Sequence, residues 1–110
     1  RRNRAVKNTA VSTGRVYEDD LCVAFKDLEP QAPVHLLIIP REHITSVAEV
    51  TPENSSIVAH IFEVAAKLAK ENHLEKGWRI VSNIGEDGGQ TVKHMHFHLL
   101  GGRPMAWPPG

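Results

Sequence analysis

From His94 to Leu99 the chain reads His-Met-His-Phe-His-Leu, polar and apolar residues in strict alternation. Period-two alternation marks a strand with two unlike faces, because successive side chains leave a pleated backbone on opposite sides. It predicts a strand carrying His94, His96 and His98 on one face, with Met95, Phe97 and Leu99 buried in a core on the other. Three of the seven histidines thus stand in one row. Imidazole is suited to proton transfer and nucleophilic attack near neutral pH, so the row reads as reactive groups mounted on a rigid element.

The remaining elements follow from pattern and punctuation. Val16 through Asp27 reads as two strands with a turn at Glu18-Asp19-Asp20. Pro30 and Pro33 mark a loop, and Val34 to Ile39 is an apolar run of the kind found in a central strand covered on both faces. Arg41 to Val50 holds a short helix. Thr51 as N-cap and Pro52 at the first helical position open the main helix, with Ile57, Val58, Ile61, Phe62, Ala65 and Leu68 on its apolar face and Gly77 beyond its end. His60 and His73 are assigned to surface or capping positions. Trp78 to Asn83 is the next strand. The order β-β-β-α-β-β with short connections indicates an α+β fold: an antiparallel sheet with one main helix and a short one.

Gly85-Glu86-Asp87-Gly88-Gly89-Gln90-Thr91 leads directly toward the histidine row. Glycines permit close backbone approach, and successive N–H groups in such a turn make an anion nest, with Gln90 and Thr91 adding side-chain donors. The loop therefore reads as a phosphate cradle beside a nucleophile. It lacks the G-x-x-x-x-G-K-[ST] pattern of a P-loop. Zinc binding is the rival reading. Three histidines on one straight strand span roughly 13 Å, too far for one ion. A zinc site would instead pair His94 and His96 with His35 or His43. A solvated polar strand face is the plainest alternative.

At 110 residues the chain is one domain, small enough that dimerisation helps to bury its surface. Thirteen basic and thirteen acidic residues cancel, which gives no global field to recruit nucleic acid or an anionic membrane. Cys22, the single cysteine, sits in an apolar strand and is assigned to the core. With no cysteine partner in the chain, a reducing, cytoplasmic setting is expected. No apolar run reaches the roughly 18 residues of a membrane span. Residues 1–14, with Arg1, Arg2, Arg4 and Lys7 and no acid, read as a loose or variable basic N-terminus.

The motif His94-Met95-His96-Phe97-His98-Leu99-Leu100 resembles the His-x-His-x-His-x-x signature of the histidine triad (HIT) family. Tyr17-Glu18-Asp19-Asp20, Asp27 to His35, Ile39-Pro40-Arg41-Glu42-His43-Ile44, Gly88 to Val92 and the tail Gly101 to Gly110 are similar to the Hint branch, the histidine triad nucleotide-binding proteins. The likeness runs from about Arg15 to Gly110, taken as the HIT domain. It implies a purine nucleoside phosphoramidase that releases AMP or GMP from an amine, needs no cofactor, and works as a homodimer whose sheet continues across the two chains.

By position, the resemblance makes His96 the nucleophile, His94 a residue shaping its surroundings, His98 a phosphoryl contact and His35 a fourth, supporting histidine. Gly89, Gln90 and Thr91 match the phosphate loop, with threonine where serine is frequent. Asn83 matches a phosphate or ribose contact, Asp27 a ribose contact and Leu28 a base contact. Phe97 is placed with the substrate-contacting residues, and Trp107 matches a tail tryptophan that approaches the partner's site. Relatives with Cys-x-x-Cys near the N-terminus hold a structural zinc. This chain has no cysteine there, so no metal is expected, and its altered N-terminus predicts weaker base affinity. His98 favours hydrolysis over nucleotidyl transfer, for which glutamine is usual at the third position. Dinucleoside-polyphosphate hydrolysis and a nucleotide-binding scaffold with incidental catalysis are the alternatives.

Overall fold

The computed structural model describes residues 14–110. The expected loose N-terminus at residues 1–14 therefore lies, apart from Gly14, outside the described residues, as does its expected effect on base affinity. Five strands form one antiparallel sheet: β1 (Arg15–Glu18), β2 (Cys22–Lys26), β3 (Val34–Pro40), β4 (Trp78–Val81) and β5 (Phe97–Gly101), in the spatial order β1-β2-β3-β5-β4. One helix, α1 (Ser55–Glu71), covers one face. The α+β architecture expected from sequence is the architecture found.

Alternation sorts each strand. Cys22 and Ala24 of β2, Leu36 and Ile38 of β3, and Phe97 and Leu99 of β5 face the helix. They pack with Ile61, Val64, Ala65, Leu68 and Ala69 of α1, and Met95 joins them. Val23, Phe25 and Ile39 form a smaller cluster with Leu37 on the other face. Burial of β3 on both faces agrees with its continuous apolar sequence. Cys22 is fully buried, and burial is the first cause pushing its thiol up to about 12, so it is an inert core residue.

The helix boundaries differ from expectation at both ends. Thr51 and Pro52 open a separate turn, in which Thr51 N–H donates to Asn54 Oδ1 (2.7 Å) and Ser55 N–H to Thr51 O (2.9 Å). Asn54 is the N-cap of α1. The stop comes at His73 rather than at Gly77. His73 has φ 60°, with His73 N–H donating to Lys70 O and Leu74 N–H to Ala69 O. That bond pair is a Schellman closure carried by a histidine where glycine is usual. Gly77 belongs to the entry into β4. The short helix is a single 3-10 turn, Val47–Glu49, capped by Ser46 Oγ accepting from Ala48 N–H.

Asp19 ties the turn between β1 and β2 to the helix. Its Oδ1 accepts from the N–H groups of Leu21 and Cys22 at 2.8 and 2.9 Å. Its Oδ2 is 2.8 Å from Tyr17 Oη and 2.6 Å from His60 Nε2. Its carbonyl accepts from Arg41 Nε at 2.7 Å. His60 is therefore a strut between α1 and the sheet, more than the surface or capping position expected of it.

Candidate active site

The histidine row is not one strand face. β5 begins at Phe97, and His94 and His96 precede it without sheet pairing. The reason lies across the sheet. His35 O and Arg41 N–H bond to Asp27 and Leu21, the residues flanking β2, so the intervening even residues of β3 turn their backbone groups toward β5. Pro40 is one of these and has no N–H to give, and the ladder ends at the Ile38–Phe97 pair. The carbonyl of Pro40 instead receives His94 Nε2 at 2.9 Å. The His94 ring is thus held against Pro40 and buried, while the core side of the prediction holds: Met95, Phe97 and Leu99 are all buried.

His96 and His98 remain neighbours, their ring centroids 5.2 Å apart. His96 Nδ1 lies 2.8 Å from the carbonyl of His94. A carbonyl only accepts, so Nδ1 carries the proton, and Nε2 of the neutral ring keeps a free lone pair. Ser82 Oγ donates to the carbonyl of His96 at 2.8 Å and fixes the backbone beneath the ring.

A second relay governs His98. On the face away from the helix Leu37 is paired with His98, which makes His35 its diagonal neighbour. Gln31 N–H donates to His35 Nδ1 at 2.9 Å, so the His35 proton is on Nε2. That proton points at His98 Nδ1, 2.9 Å away, with Asp27 Oδ2 at 3.5 Å. His98 therefore carries its own proton on Nε2 when neutral. Burial first, then the neighbouring His96 and His35, lowers its pKa to about 4, with Asp27 offsetting this in part. At neutral pH it is an uncharged hydrogen-bond donor.

Asp27, His35 and His98 also bring three possible metal-ligand atoms within 4.8 Å of one another. The Gln31 amide argues against their use for a cation. Coordination through His35 Nε2 would move its proton to Nδ1, where it would face the Gln31 N–H, donor against donor. The other such cluster among the described residues, Asp19, Cys22 and His60, has a carboxylate already accepting four hydrogen bonds.

The depressed His98 pKa has a consequence for stability. The unfolded chain binds a proton near pH 6.5 that the folded site refuses until about pH 4. Stability contributed by the neutral ring is complete above pH 6.5 and is lost as pH falls toward 4. The loss is at most about 3 kcal/mol, from 1.36 kcal/mol per pKa unit. Urea unfolding across this range is expected to show that loss in the parent chain and a flatter profile in His98→Gln. An equally steep profile in the variant would contradict it.

The glycine-rich loop is braced internally. Gly88 has no room for a side chain, since a Cβ would stand 2.2 Å from the carbonyl oxygen of Ile84. Gly89 N–H donates to Glu86 O and Gln90 N–H to Gly85 O, each at 3.0 Å. The Gln90 carboxamide accepts from Gly85 N–H (3.0 Å) and donates to Thr45 O (2.7 Å) and Val92 O (3.0 Å). These donors shape the loop, and Thr91 stands exposed beside it.

Asn83 is half-buried just past β4. Leu28 is 77% and Trp107 81% exposed, well placed for contacts beyond the chain's own core. Arg79 anchors the tail through Ala106 O (3.0 Å). Phe97 is corrected: its ring is on the helix face, edge-on to Phe62 at 5.6 Å, because residue 97 has the opposite parity to 96 and 98. Sequence reasoning passed over Gln31, Ser82 and Pro40. Only Pro40 gave a readable signal, as a missing donor in a strand.

The arrangement has counterparts. The HIT domain matches residues 8–105. A HIT-like protein of Synechococcus elongatus is 52% identical over 95 residues, 86% of this chain and 83% of that protein. The crystal structure of a HIT family hydrolase from Legionella pneumophila Philadelphia 1 is 50% identical, covers 88% of each chain and superposes with TM-score 0.86. A histidine triad nucleotide-binding protein from Candida albicans is 26% identical over 96% of this chain and 80% of that one, at TM-score 0.77. With a family match over residues 8–105 and relatives about half identical over most of both chains, this chain belongs to the HIT domain family.

Proposed function

We propose that the chain hydrolyses purine nucleoside phosphoramidates, releasing AMP or GMP and an amine through a nucleotidyl intermediate on His96. The observation that carries this reading is the His96 Nδ1 contact with the His94 carbonyl, which leaves Nε2 unprotonated and free to attack. Nε2 forms a bond to the α-phosphorus as the P–N bond to the amine breaks. The departing nitrogen takes a proton with the help of the Thr91 hydroxyl. Water then attacks phosphorus and the P–Nε2 bond breaks. The proton that water releases replaces the one the amine carried off. His98, neutral and donating through Nε2, steadies the phosphoryl oxygens, and His35 sets its tautomer. Asp27 and Asn83 take the ribose and phosphate side, and Leu28 the base. Gly89, Gln90 and Thr91 form the loop beside the phosphate.

The working unit is a homodimer. β4 is an edge of the sheet, and its Trp78 is 40% exposed. A second copy there extends the sheet and lets the exposed Trp107 reach its site. No helix among the described residues is long and apolar enough to cross a membrane, and a cytoplasmic location is part of the proposal. Intact-protein mass spectrometry during turnover of an adenosine phosphoramidate tests the chemistry. A transient gain of one adenylyl group, about 329 Da, is expected. Rapid turnover with no such species under quenched conditions would count against the covalent route.

A further inference from the structure

We propose that His43 is a positioning residue for the nucleophile, holding the His94 ring and, through it, the carbonyl that keeps the His96 proton on Nδ1. This rests on the reading of His96 as nucleophile. Residues 94–96 lie outside the β5 ladder, so sheet pairing does not orient the His94 carbonyl. The end of β3 and the segment that follows it do so instead, by three contacts. Met95 N–H donates to Ile44 O at 2.6 Å. His94 Nε2 lies 2.9 Å from Pro40 O. His43 Nδ1 lies 3.3 Å from His94 Nδ1, the rings edge-on at 86° with centroids 4.9 Å apart.

Proton accounting gives His43 its direction. Pro40 O only accepts, so His94 Nε2 carries a proton, and Nδ1 of the neutral ring is an acceptor. His43 must then donate through Nδ1. Its N–H sets the rotation of the ring attached to the same residue whose carbonyl receives His96 Nδ1. Remove that donor and the His94 ring loses one of the contacts that fix it. The carbonyl drifts, and His96 gains access to the tautomer protonated on Nε2, which cannot attack phosphorus. Small misplacements of a reacting group carry large kinetic costs.

Three full-length proteins decide the matter: the parent chain, His43→Phe, which keeps a ring without the donor, and His43→Asn, which restores an N–H near the position of Nδ1. The activity-independent readout is the 15N shift pair of His96. The parent is expected to show a protonated Nδ1 and a bare Nε2. His43→Phe is expected to show a mixture of tautomers, and His43→Asn to return toward the parent. Single-turnover adenylylation by a phosphoramidate should fall about ten- to a hundredfold in His43→Phe, with AMP affinity and melting temperature near the parent's and most of the rate restored in His43→Asn. A parent-like His96 tautomer in His43→Phe overturns the proposal. So does a loss of rate, affinity and melting temperature together that His43→Asn does not repair. If the parent forms no adduct, the nucleophile reading fails by itself, and the tautomer comparison still decides whether His43 orients His96.

Discussion

Replacing His96 with alanine is expected to lower phosphoramidate turnover by about four orders of magnitude or more while leaving the fold intact. The size follows from the role, since loss of a covalent nucleophile removes the route and not one contact along it. Retention of the fold follows from its position. His96 precedes β5, is only half-buried, and its ring contacts a local carbonyl instead of the core. AMP binding should change only a few-fold, because Asp27, His98 and the glycine-rich loop are untouched. Steady-state kinetics with calorimetric AMP titration separates the two effects. A variant that keeps a tenth of the parent's kcat would end the case for His96 as nucleophile. Loss of AMP binding in step with turnover would recast it as a binding residue.

The largest effect on stability is expected at Asp19, remote from the chemistry. Asp19→Ala leaves Tyr17 Oη, His60 Nε2 and the N–H groups of Leu21 and Cys22 without their acceptor. Orphaned donors cost about 1–3 kcal/mol each when buried. Partial exposure of His60 and of the carboxylate lets water replace part of this, so the net loss is about 2–4 kcal/mol. In a domain of this size that lowers the melting temperature by about 10–20 °C.

The loss is also pH-dependent. Burial alone would raise the Asp19 pKa, but hydrogen bonds from His60, Tyr17, Cys22 and Leu21 outweigh it and hold the carboxyl well below the usual range. The same carboxylate is the first cause raising the Tyr17 phenol to about 12. A depressed folded pKa stabilises above the unfolded value of 3.8, and that stabilisation disappears as pH falls below it. The gap between the parent and Asp19→Ala should therefore be full at pH 7 and narrow below pH 4. A gap that stays constant into strong acid would show that the carboxylate's charge contributes nothing. Asn at this position should cost less than Ala, because it keeps the Oδ1 acceptor for the two backbone amides.

Much of this architecture was legible in order and alternation. The strands β1 to β3, the central place of β3, and the burial of Cys22 and of Met95, Phe97 and Leu99 all follow from period and punctuation, whereas the place of His35 beside the triad came only from the family resemblance. The misreadings share one cause. Local signals at Thr51-Pro52 and Gly77 are genuine turn signals, yet a reciprocal Thr51–Asn54 turn and a left-handed His73 set the helix ends. Alternation through His94 is genuine too, yet a strand needs a partner with donors, and Pro40 withdraws one.

The residue types of the candidate site were determined by the sequence by itself: which histidines, which carboxylate and which loop glycines to propose, and the parity that separates His96 and His98 from Phe97. Parity is a property of one extended chain and needs no neighbour. Proton placement was decided only by the tertiary structure. His96 is a potential nucleophile because a carbonyl two residues back accepts a hydrogen bond from its protonated Nδ1, and His98 is a donor because Gln31 fixes His35. Histidine has two nitrogens of similar basicity, so its tautomer is set by partners that folding brings within about 3 Å.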